Sequence, residues 1–211
     1  MKYEKEMKKG IIKFLQNEHK CSHIADEVNS GYGIADFVGM VNKSNNKETF
    51  QFNNRVDIYF LQAMKINHPV HIEEIERNTY YSRKYLTNVV LKNYIDQGLL
   101  IKKDKNFYVK VSKIDMNGFK LIAVEVKLSK WKEAFNQATY YKKFADYSFV
   151  ALYKKYVKNV NLQLFRDNNI GLITVDNNLE FDILRKPKIN RELYLEAKLF
   201  VSGLTFKTRS V

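Results

Sequence analysis

The apolar positions of the N-terminal segment first repeat with helical spacing and then form strand-like runs. Residues 1–16 carry an apolar side chain every three or four positions, which predicts an amphipathic helix. Residues 24–28 and 33–41 are predicted strands, and the second is an apolar run interrupted by one acid, Asp36. A polar turn is predicted over residues 42–47. The chain therefore begins as one helix and two strands.

The pattern changes between residues 52 and 111, where three helices and then a short basic hairpin are expected. The predicted helices cover residues 55–65, 71–77 and 83–97, and the predicted strands cover residues 99–102 and 106–111. Ser82 is the expected N-cap of the third helix, and Gly98 ends it. This order is typical of a winged helix-turn-helix. The side chains expected to face inward are Val56, Tyr59, Phe60, Met64, Leu86, Val89, Val90 and Ile95.

Strands and helices alternate in the last third of the chain. Strands are predicted at residues 119–128, 147–153, 170–175 and 179–184, and helices at 130–144, 157–167 and 190–202. The order predicts an α/β fold, a mixed β-sheet flanked by helices. We expect residues 1–51 and 112–211 to form this core and residues 52–111 to form an inserted α+β domain.

The charge of the chain indicates a polyanionic partner. The net charge is +13, which favours nucleic acid because neutralised phosphates release counterions. An AT-rich coding sequence would also yield a chain rich in lysine and asparagine, so charge alone leaves the partner open. One cysteine excludes an internal disulfide, and neither a secretory signal nor a run of membrane-spanning length is present. We expect a cytoplasmic protein without a membrane partner.

The candidate chemistry centres on Glu125 and Lys127. Strand alternation places both on one face, with the apolar neighbours Val124 and Val126 on the other. Charges on an apolar strand need compensation, either from a cross-strand ion pair or from a metal that binds the carboxylate. Asp36, on a neighbouring strand, would supply a second carboxylate for Mg²⁺.

Two helices offer further candidates. Gln137 and Tyr141 are four residues apart and share a face, although Tyr141 is equally consistent with a core residue. Glu4 borders the inward face of the first helix, where it could complete the outer coordination of the metal, whereas Glu6 points further round toward solvent. Acids at a helix N-terminus are also favoured by the helix dipole, so either explanation of Glu4 fits.

The order of these residues resembles the PD-(D/E)XK nuclease superfamily, which includes restriction endonucleases. The resemblance covers residues 3–41 and 119–175 and implies a restriction-endonuclease-like core with a winged-helix insertion. The chain departs from the motif at Ala35, where proline is usual, and in the long gap that the insertion would explain. The implied roles are Mg²⁺ or Mn²⁺ binding by Asp36, Glu125 and the Val126 carbonyl, catalysis by Lys127, a helix-1 acid at Glu4, and a Gln-x-x-x-Tyr motif at Gln137 and Tyr141.

The inserted domain would deliver DNA to this site. The residues expected to contact DNA are Arg83, Lys84, Thr87, Asn88 and Lys92 of the third helix and Lys102, Lys103 and Lys105 of the wing. Winged helices also serve as protein-binding modules, and helix lysines are often only a solvated surface. Two rival hypotheses are a DNA-binding regulator that no longer cuts and a subunit that needs a protein partner. Because double-strand cleavage needs two sites, a homodimer is consistent with the nuclease hypothesis.

Overall fold

A computed structural model describes residues 3–42, 51–52, 54–114 and 118–207. The helices, in chain order, are α1 (Lys8–Asn17), α2 (Arg55–Ala63), α3 (Ile72–Thr79), α4 (Arg83–Tyr85), α5 (Lys92–Asp96), α6 (Trp131–Tyr141), α7 (Leu162–Asp167) and α8 (Leu195–Phe206). The strands are β1 (His23–Asn29), β2 (Ile34–Asn42), β3 (Pro69–His71), β4 (Leu100–Lys102), β5 (Phe107–Lys110), β6 (Phe119–Lys127), β7 (Tyr147–Tyr153), β8 (Gly171–Val175) and β9 (Phe181–Arg185). Short 3₁₀ segments cover Glu4–Met7 and Lys154–Asn159, and a π-helical segment, Leu86–Leu91, joins α4 to α5.

The chain divides into two compact units. The core unit comprises Met1–Thr49 and Asn117–Val211, and the inserted unit comprises Phe50–Met116. The chain therefore leaves the core unit after β2 and returns to it before β6. In neither unit does a helix of the described residues have the length and apolar composition needed to cross a membrane.

The core unit is built on a six-stranded mixed sheet in the order β1-β2-β6-β7-β8-β9. Strands β1, β2 and β6 pair antiparallel, β6, β7 and β8 pair parallel, and β9 returns antiparallel at the edge. Helix α1 packs on one face, while α6 and α8 pack on the other. The predicted α/β class, a mixed sheet flanked by helices, is confirmed.

Apolar side chains from alternate strand positions form the core beneath α1. Met7, Ile11 and Phe14 are fully buried and pack against a cluster that includes Val124 and Phe149. Because strand side chains alternate between faces, burial of Val124 and Val126 on this side turns Glu125 and Lys127 toward α6. The packing of α1 on this face therefore determines that the Glu125 and Lys127 side chains lie on the opposite face of the sheet.

The inserted unit combines helices α2, α3 and α4–α5 with a three-stranded antiparallel sheet, β3-β5-β4. Buried Asp57 links its helices, because its carboxylate accepts hydrogen bonds from the Tyr81 hydroxyl at 2.9 Å and the Tyr94 hydroxyl at 2.7 Å. Asn54 caps α2 by accepting from the Asp57 backbone N–H at 3.1 Å. The predicted N-cap, Ser82, is confirmed by its bond from the Tyr85 N–H.

The predicted inward faces of two helices were partly wrong. Val56 and Tyr59 are exposed. The carboxylate of Asp57 accepts a hydrogen bond from Tyr81 and is buried, so the face of α2 that carries Asp57 points inward instead. Val89 is exposed and Ile95 is only half-buried, because the π-helical segment changes the helical register. The side chains that face inward instead are Ile58, Leu61, Leu91 and Tyr94.

Several predicted boundaries also needed correction. Helix α7 begins only at Leu162, after the N-cap Asn161, and the segment before it is 3₁₀. The closing helix begins at Leu195 rather than at 190, because Asn190 bonds instead to the main chain of residues 142–146. Strand β3 was not predicted. The predicted turn over 42–47 lies outside the described residues apart from Asn42, which ends β2.

His19 has a buried ring nitrogen at the end of α1. Its ring centroid lies 5.1 Å from that of Phe14, 5.6 Å from that of Tyr147 and 5.4 Å from that of Phe149. Within the described residues, Nε2 has no hydrogen-bond partner. Burial is the main reason that the pKa of His19 falls from 6.5 to about 4; the charge of Glu18 opposes this decrease, and the charge of Lys186 contributes to it.

We expect His19 to make the core unit less stable in acid. Between pH 6.5 and about 4 the unfolded chain binds a proton that the folded chain does not, so the free energy of unfolding falls as the pH falls. Because solvent screens the partly exposed ring and reduces the effect, the free energy of unfolding should fall by on the order of 2 kcal/mol. Urea unfolding followed by the fluorescence of Trp131, the single tryptophan, measures it.

His19→Phe should remove this component of the pH dependence while keeping an aromatic ring in the cluster. His68→Phe, at an exposed site, is the control and should retain the wild-type profile. Parallel pH profiles for wild type and His19→Phe would contradict the assignment to His19.

Candidate functional site

The site forms where β2 and β6 stop pairing. The last register pair of the ladder is Phe37 with Val124, so Asp36 and Glu125 are the next residues on the two strands. Beyond that pair, the side chain of Asp36, and not the backbone of β2, accepts the next hydrogen bond from β6. The Asp36 Oδ2 accepts the Val126 N–H at 2.7 Å. The N–H and C=O of a strand residue point to the same side, so the Val126 carbonyl also faces the Asp36 side.

Glu125 is the most deeply buried acid of the site, with 1 % of the residue exposed. Its Oε1 accepts a hydrogen bond from the Lys127 ammonium at 2.7 Å, and its Oε2 accepts from the Tyr141 hydroxyl at 2.5 Å. The same hydroxyl lies 2.7 Å from the Ile34 carbonyl oxygen on β2. Tyr141 therefore ties α6 to both strands that carry the acids and fixes the rotamer of Glu125.

Burial and neighbouring acids disfavour the negative charge of both carboxyl groups. Burial raises the pKa of Asp36, and this outweighs the hydrogen bond from the Val126 N–H. Burial also raises the pKa of Glu125, where Lys127 and Tyr141 act in the opposite direction and the charge of Asp36 adds to the increase. The site thus concentrates negative charge that a cation would stabilise.

Lys127 is held as a cation by these acids. Burial alone would lower the pKa of its ammonium group, but the hydrogen bond to Glu125 and the charges of Asp36 and Glu4 raise the pKa above its ordinary value. Its side chain is 14 % exposed. Lys127 can therefore donate hydrogen bonds and offset negative charge, but it is not set up to accept a proton.

Glu4 reaches the same site from the 3₁₀ segment before α1. Its Oε1 accepts the Leu128 N–H at 3.3 Å. Glu4, Asp36 and Val126 line a cavity of about 250 Å³, which Asp26 and Glu27 also line. Of the two acids considered from sequence, Glu4 rather than Glu6 lines this cavity.

Sequence reasoning missed Glu27. It occupies the β1 position opposite Asp36, between the register pairs Asp26–Phe37 and Val28–Ala35. Its charge raises the pKa of Asp36, and its backbone has a left-handed φ of 51°. A turn centred on residues 31 and 32 would have indicated this register from the sequence.

Gln137 lies one helical turn before Tyr141 on α6 and is half-buried. Its amide oxygen is buried and has no hydrogen-bond partner within the described part of the chain. Among the described residues, Glu125 therefore accepts a hydrogen bond from Tyr141 and none from Gln137. An unpaired buried acceptor is costly, so this oxygen is available for a donor that a ligand would bring.

The residues predicted to contact DNA lie on the inserted unit. Thr87, Asn88, Lys92 and Lys102 line one cavity of about 340 Å³. The remaining lysines of the set, Lys84, Lys103 and Lys105, are exposed. Arg83 was expected to offer its positive charge to DNA, but its guanidinium already donates to both carboxylate oxygens of Glu76, at 2.5 and 2.6 Å.

No group of three or more His, Cys, Asp or Glu side chains within the described residues is arranged to hold a metal ion. Comparison of the chain with protein-family models, curated proteins and solved structures gives no match in any of the three. The geometry around Asp36, Glu125 and Lys127 is therefore the basis for a functional proposal.

Proposed function

We propose that this protein is a Mg²⁺-dependent deoxyribonuclease with a restriction-endonuclease-like core of the PD-(D/E)XK type. One observation carries the proposal: the Asp36 carboxylate binds the backbone of Val126, directly between Glu125 and Lys127, although Asp36 and Val126 are 90 positions apart in the chain. A structural ion pair between Lys127 and Glu125 would not require Asp36, a second acid from another strand. Asp36 and Val126 also line the cavity of about 250 Å³, and two carboxylates with a lysine next to such an opening are what a phosphodiester-cleaving site needs.

The donor set fits Mg²⁺. This cation takes oxygen ligands, commonly from one or two carboxylates together with water and substrate phosphate, so a group of three acids is not required. Asp36 Oδ1 accepts no hydrogen bond from any described residue, and an ionised carboxylate such as Glu125 has about four acceptor positions in all. Asp36, Glu125 and the Val126 carbonyl would hold the ion, and Mn²⁺ has the same ligand preferences.

The side chains around these ligands have distinct roles in DNA hydrolysis. When bound, Mg²⁺ polarises the scissile phosphate and acidifies a coordinated water. Lys127 donates hydrogen bonds and offsets the negative charge that grows on the phosphate oxygens. Tyr141 is a positioning residue, because its hydroxyl holds the Glu125 carboxylate, and Glu4 adds negative charge at the mouth of the site.

The inserted unit is proposed to be a winged helix that delivers DNA. Its three helical segments and antiparallel three-stranded sheet support this assignment, as does the position of Lys92 and Lys102 at one cavity with Thr87 and Asn88. The exposed lysines of the β4–β5 turn would contact phosphates. Arg83, already paired with Glu76, is expected to contribute less than these lysines.

Metal dependence is the direct test. Supercoiled plasmid should be cut in millimolar Mg²⁺ or Mn²⁺ and remain intact in EDTA. Calorimetric titration of Mn²⁺ should show that Asp36→Asn weakens binding by at least about tenfold, because the variant loses one anionic ligand. Asp182→Asn, at an exposed carboxylate on β9, is the control and should bind Mn²⁺ like the wild type.

The hydrogen-bond network of Glu125 favours one rival, a nuclease-fold regulator that binds DNA without cutting it. Lys127 and Tyr141 already compensate the buried carboxylate without a cation. This rival is supported if Mn²⁺ does not bind and supercoiled, linear and single-stranded DNA all remain intact. Metal binding without cleavage would instead indicate a subunit that needs a protein partner or a second copy of the chain.

A further inference from the structure

Three tyrosines surround Lys143 at the C-terminal end of α6. Tyr32 lies in the β1–β2 turn, Tyr140 lies on α6, and Tyr194 directly precedes α8. Tyr140 is 53 % exposed and Tyr194 is 49 % exposed, and the ring centroids of Tyr32 and Tyr194 are 5.7 Å apart. We call these four residues the tyrosine patch.

The patch is preorganised by its own contacts. The Lys143 ammonium lies 4.6 Å from the ring centroid of Tyr32 and 5.9 Å from those of both Tyr140 and Tyr194. The Tyr194 N–H donates to the Lys143 carbonyl at 2.8 Å, and the Tyr32 N–H donates to the Ser30 hydroxyl at 3.1 Å. A ligand that stacks on these rings would therefore lose little affinity to the cost of ordering them.

Two chain segments connect the tyrosine patch to the Glu125–Lys127 site. Tyr140 immediately precedes Tyr141, whose hydroxyl contacts Glu125 and the Ile34 carbonyl. Ile34 follows Tyr32 by two residues and is itself exposed. The tyrosine patch and the Glu125–Lys127 site are therefore linked through α6 and through the short segment from Tyr32 to Ile34.

We propose that the tyrosine patch binds unpaired nucleotides of a DNA substrate beside the Glu125–Lys127 site, an inference that rests on the proposed function. Exposed aromatic faces stack on bases of any sequence, and Tyr140 and Tyr194 offer such faces. Lys143 lies between them and neutralises a backbone phosphate. Bases inside a duplex are already stacked and paired, so the patch selects a single-stranded end, flap or gap.

Binding of a labelled 12-nucleotide oligothymidylate, measured by fluorescence anisotropy in EDTA, separates recognition from cleavage. Tyr140→Ala/Tyr194→Ala should weaken this binding about tenfold or more, since each lost base stack contributes. Tyr140→Phe/Tyr194→Phe should keep most of the affinity, because stacking needs the ring and not the hydroxyl. Leu184→Ala, an exposed apolar side chain on β9 at the opposite edge of the sheet, is the control and should have no effect.

The salt dependence tests the cation of the patch. Lys143→Gln should make the slope of log affinity against log salt shallower by about 0.7, the value for one phosphate contact in a single strand. A purely structural role of Lys143 would leave this slope unchanged. Blunt duplex of the same length should bind the alanine double variant and the wild type equally.

The results can separate this inference from the proposed function. If wild type cuts DNA while the alanine double variant keeps its affinity for the oligonucleotide, the patch inference fails and the nuclease stands. If affinity falls as expected but wild type cuts nothing with any metal, the patch stands and the nuclease fails. Equal losses on duplex and single strand, or tighter binding of oligouridylate than of oligothymidylate, would overturn the assignment to unpaired DNA.

Discussion

Replacing Lys127 by alanine is expected to slow Mg²⁺-dependent DNA cleavage by at least about 100-fold, the usual effect of removing one preorganised donor of charge stabilisation. The ammonium group is held 2.7 Å from Glu125 in a site with little solvent, where its charge is poorly screened. DNA binding should change by no more than about twofold, because the chain has 36 Lys and Arg to contact phosphates. Plasmid nicking and filter binding measure the two effects separately.

Lys130→Ala is the matched control for this prediction. Lys130 lies three residues further along, its side chain is 74 % exposed, and its only close acid among the described residues is Glu133 at 3.5 Å. The control should cut at the wild-type rate. Equal nicking by wild type and Lys127→Ala would refute the catalytic assignment, and equal losses in both lysine variants would point to a general charge effect.

The strand face on which Glu125 and Lys127 lie could be predicted because strand alternation is a local property. Val124 and Val126 belong to the apolar core, so Glu125 and Lys127 have to face the other way. Asp36 could be recognised as one acid in an apolar run. That β2 and β6 are neighbours could only be hypothesised, since an inserted unit lies between them in the chain.

The inward face of α2 could not be predicted from apolar periodicity. Asp57 counts as a polar position in the sequence, yet it is buried because hydroxyls from Tyr81 and Tyr94 compensate its carboxylate. Those partners come 24 and 37 residues later. A pattern within one helix contains no information about such distant donors.

The tyrosine patch was missed for a related reason. Tyr32, Tyr140 and Tyr194 come from a turn, a helix and the segment before another helix, so no spacing in the sequence connects them. Only the packing of α6 and the bond between Tyr194 and Lys143 bring their rings together. Surface clusters of this kind depend on tertiary structure and have no periodic signature.

The largest effect on stability is expected from Lys198→Met, which breaks a buried ion pair between α8 and the turn before β7. The Lys198 ammonium lies 2.9 Å from the Asp146 carboxylate, and the two side chains are only 6 % and 7 % exposed. Asp146 also accepts the Leu121 N–H at 2.8 Å, which links the pair to β6. Removing one partner of such a pair leaves a buried charge and should cost about 3–5 kcal/mol.

Urea unfolding followed by Trp131 fluorescence reports this loss, because Trp131 lies on α6 of the same unit. Lys154→Met is the control: its pair with Asp182 has both side chains 54 % exposed, and an exposed pair contributes about 0–1 kcal/mol. Asp146→Asn in the Lys198→Met background should restore more than half of the lost stability, since it removes the uncompensated charge and keeps an acceptor for the Leu121 N–H. If Lys198→Met and Lys154→Met destabilise equally, the buried pair does not hold α8 against the strand that carries Glu125.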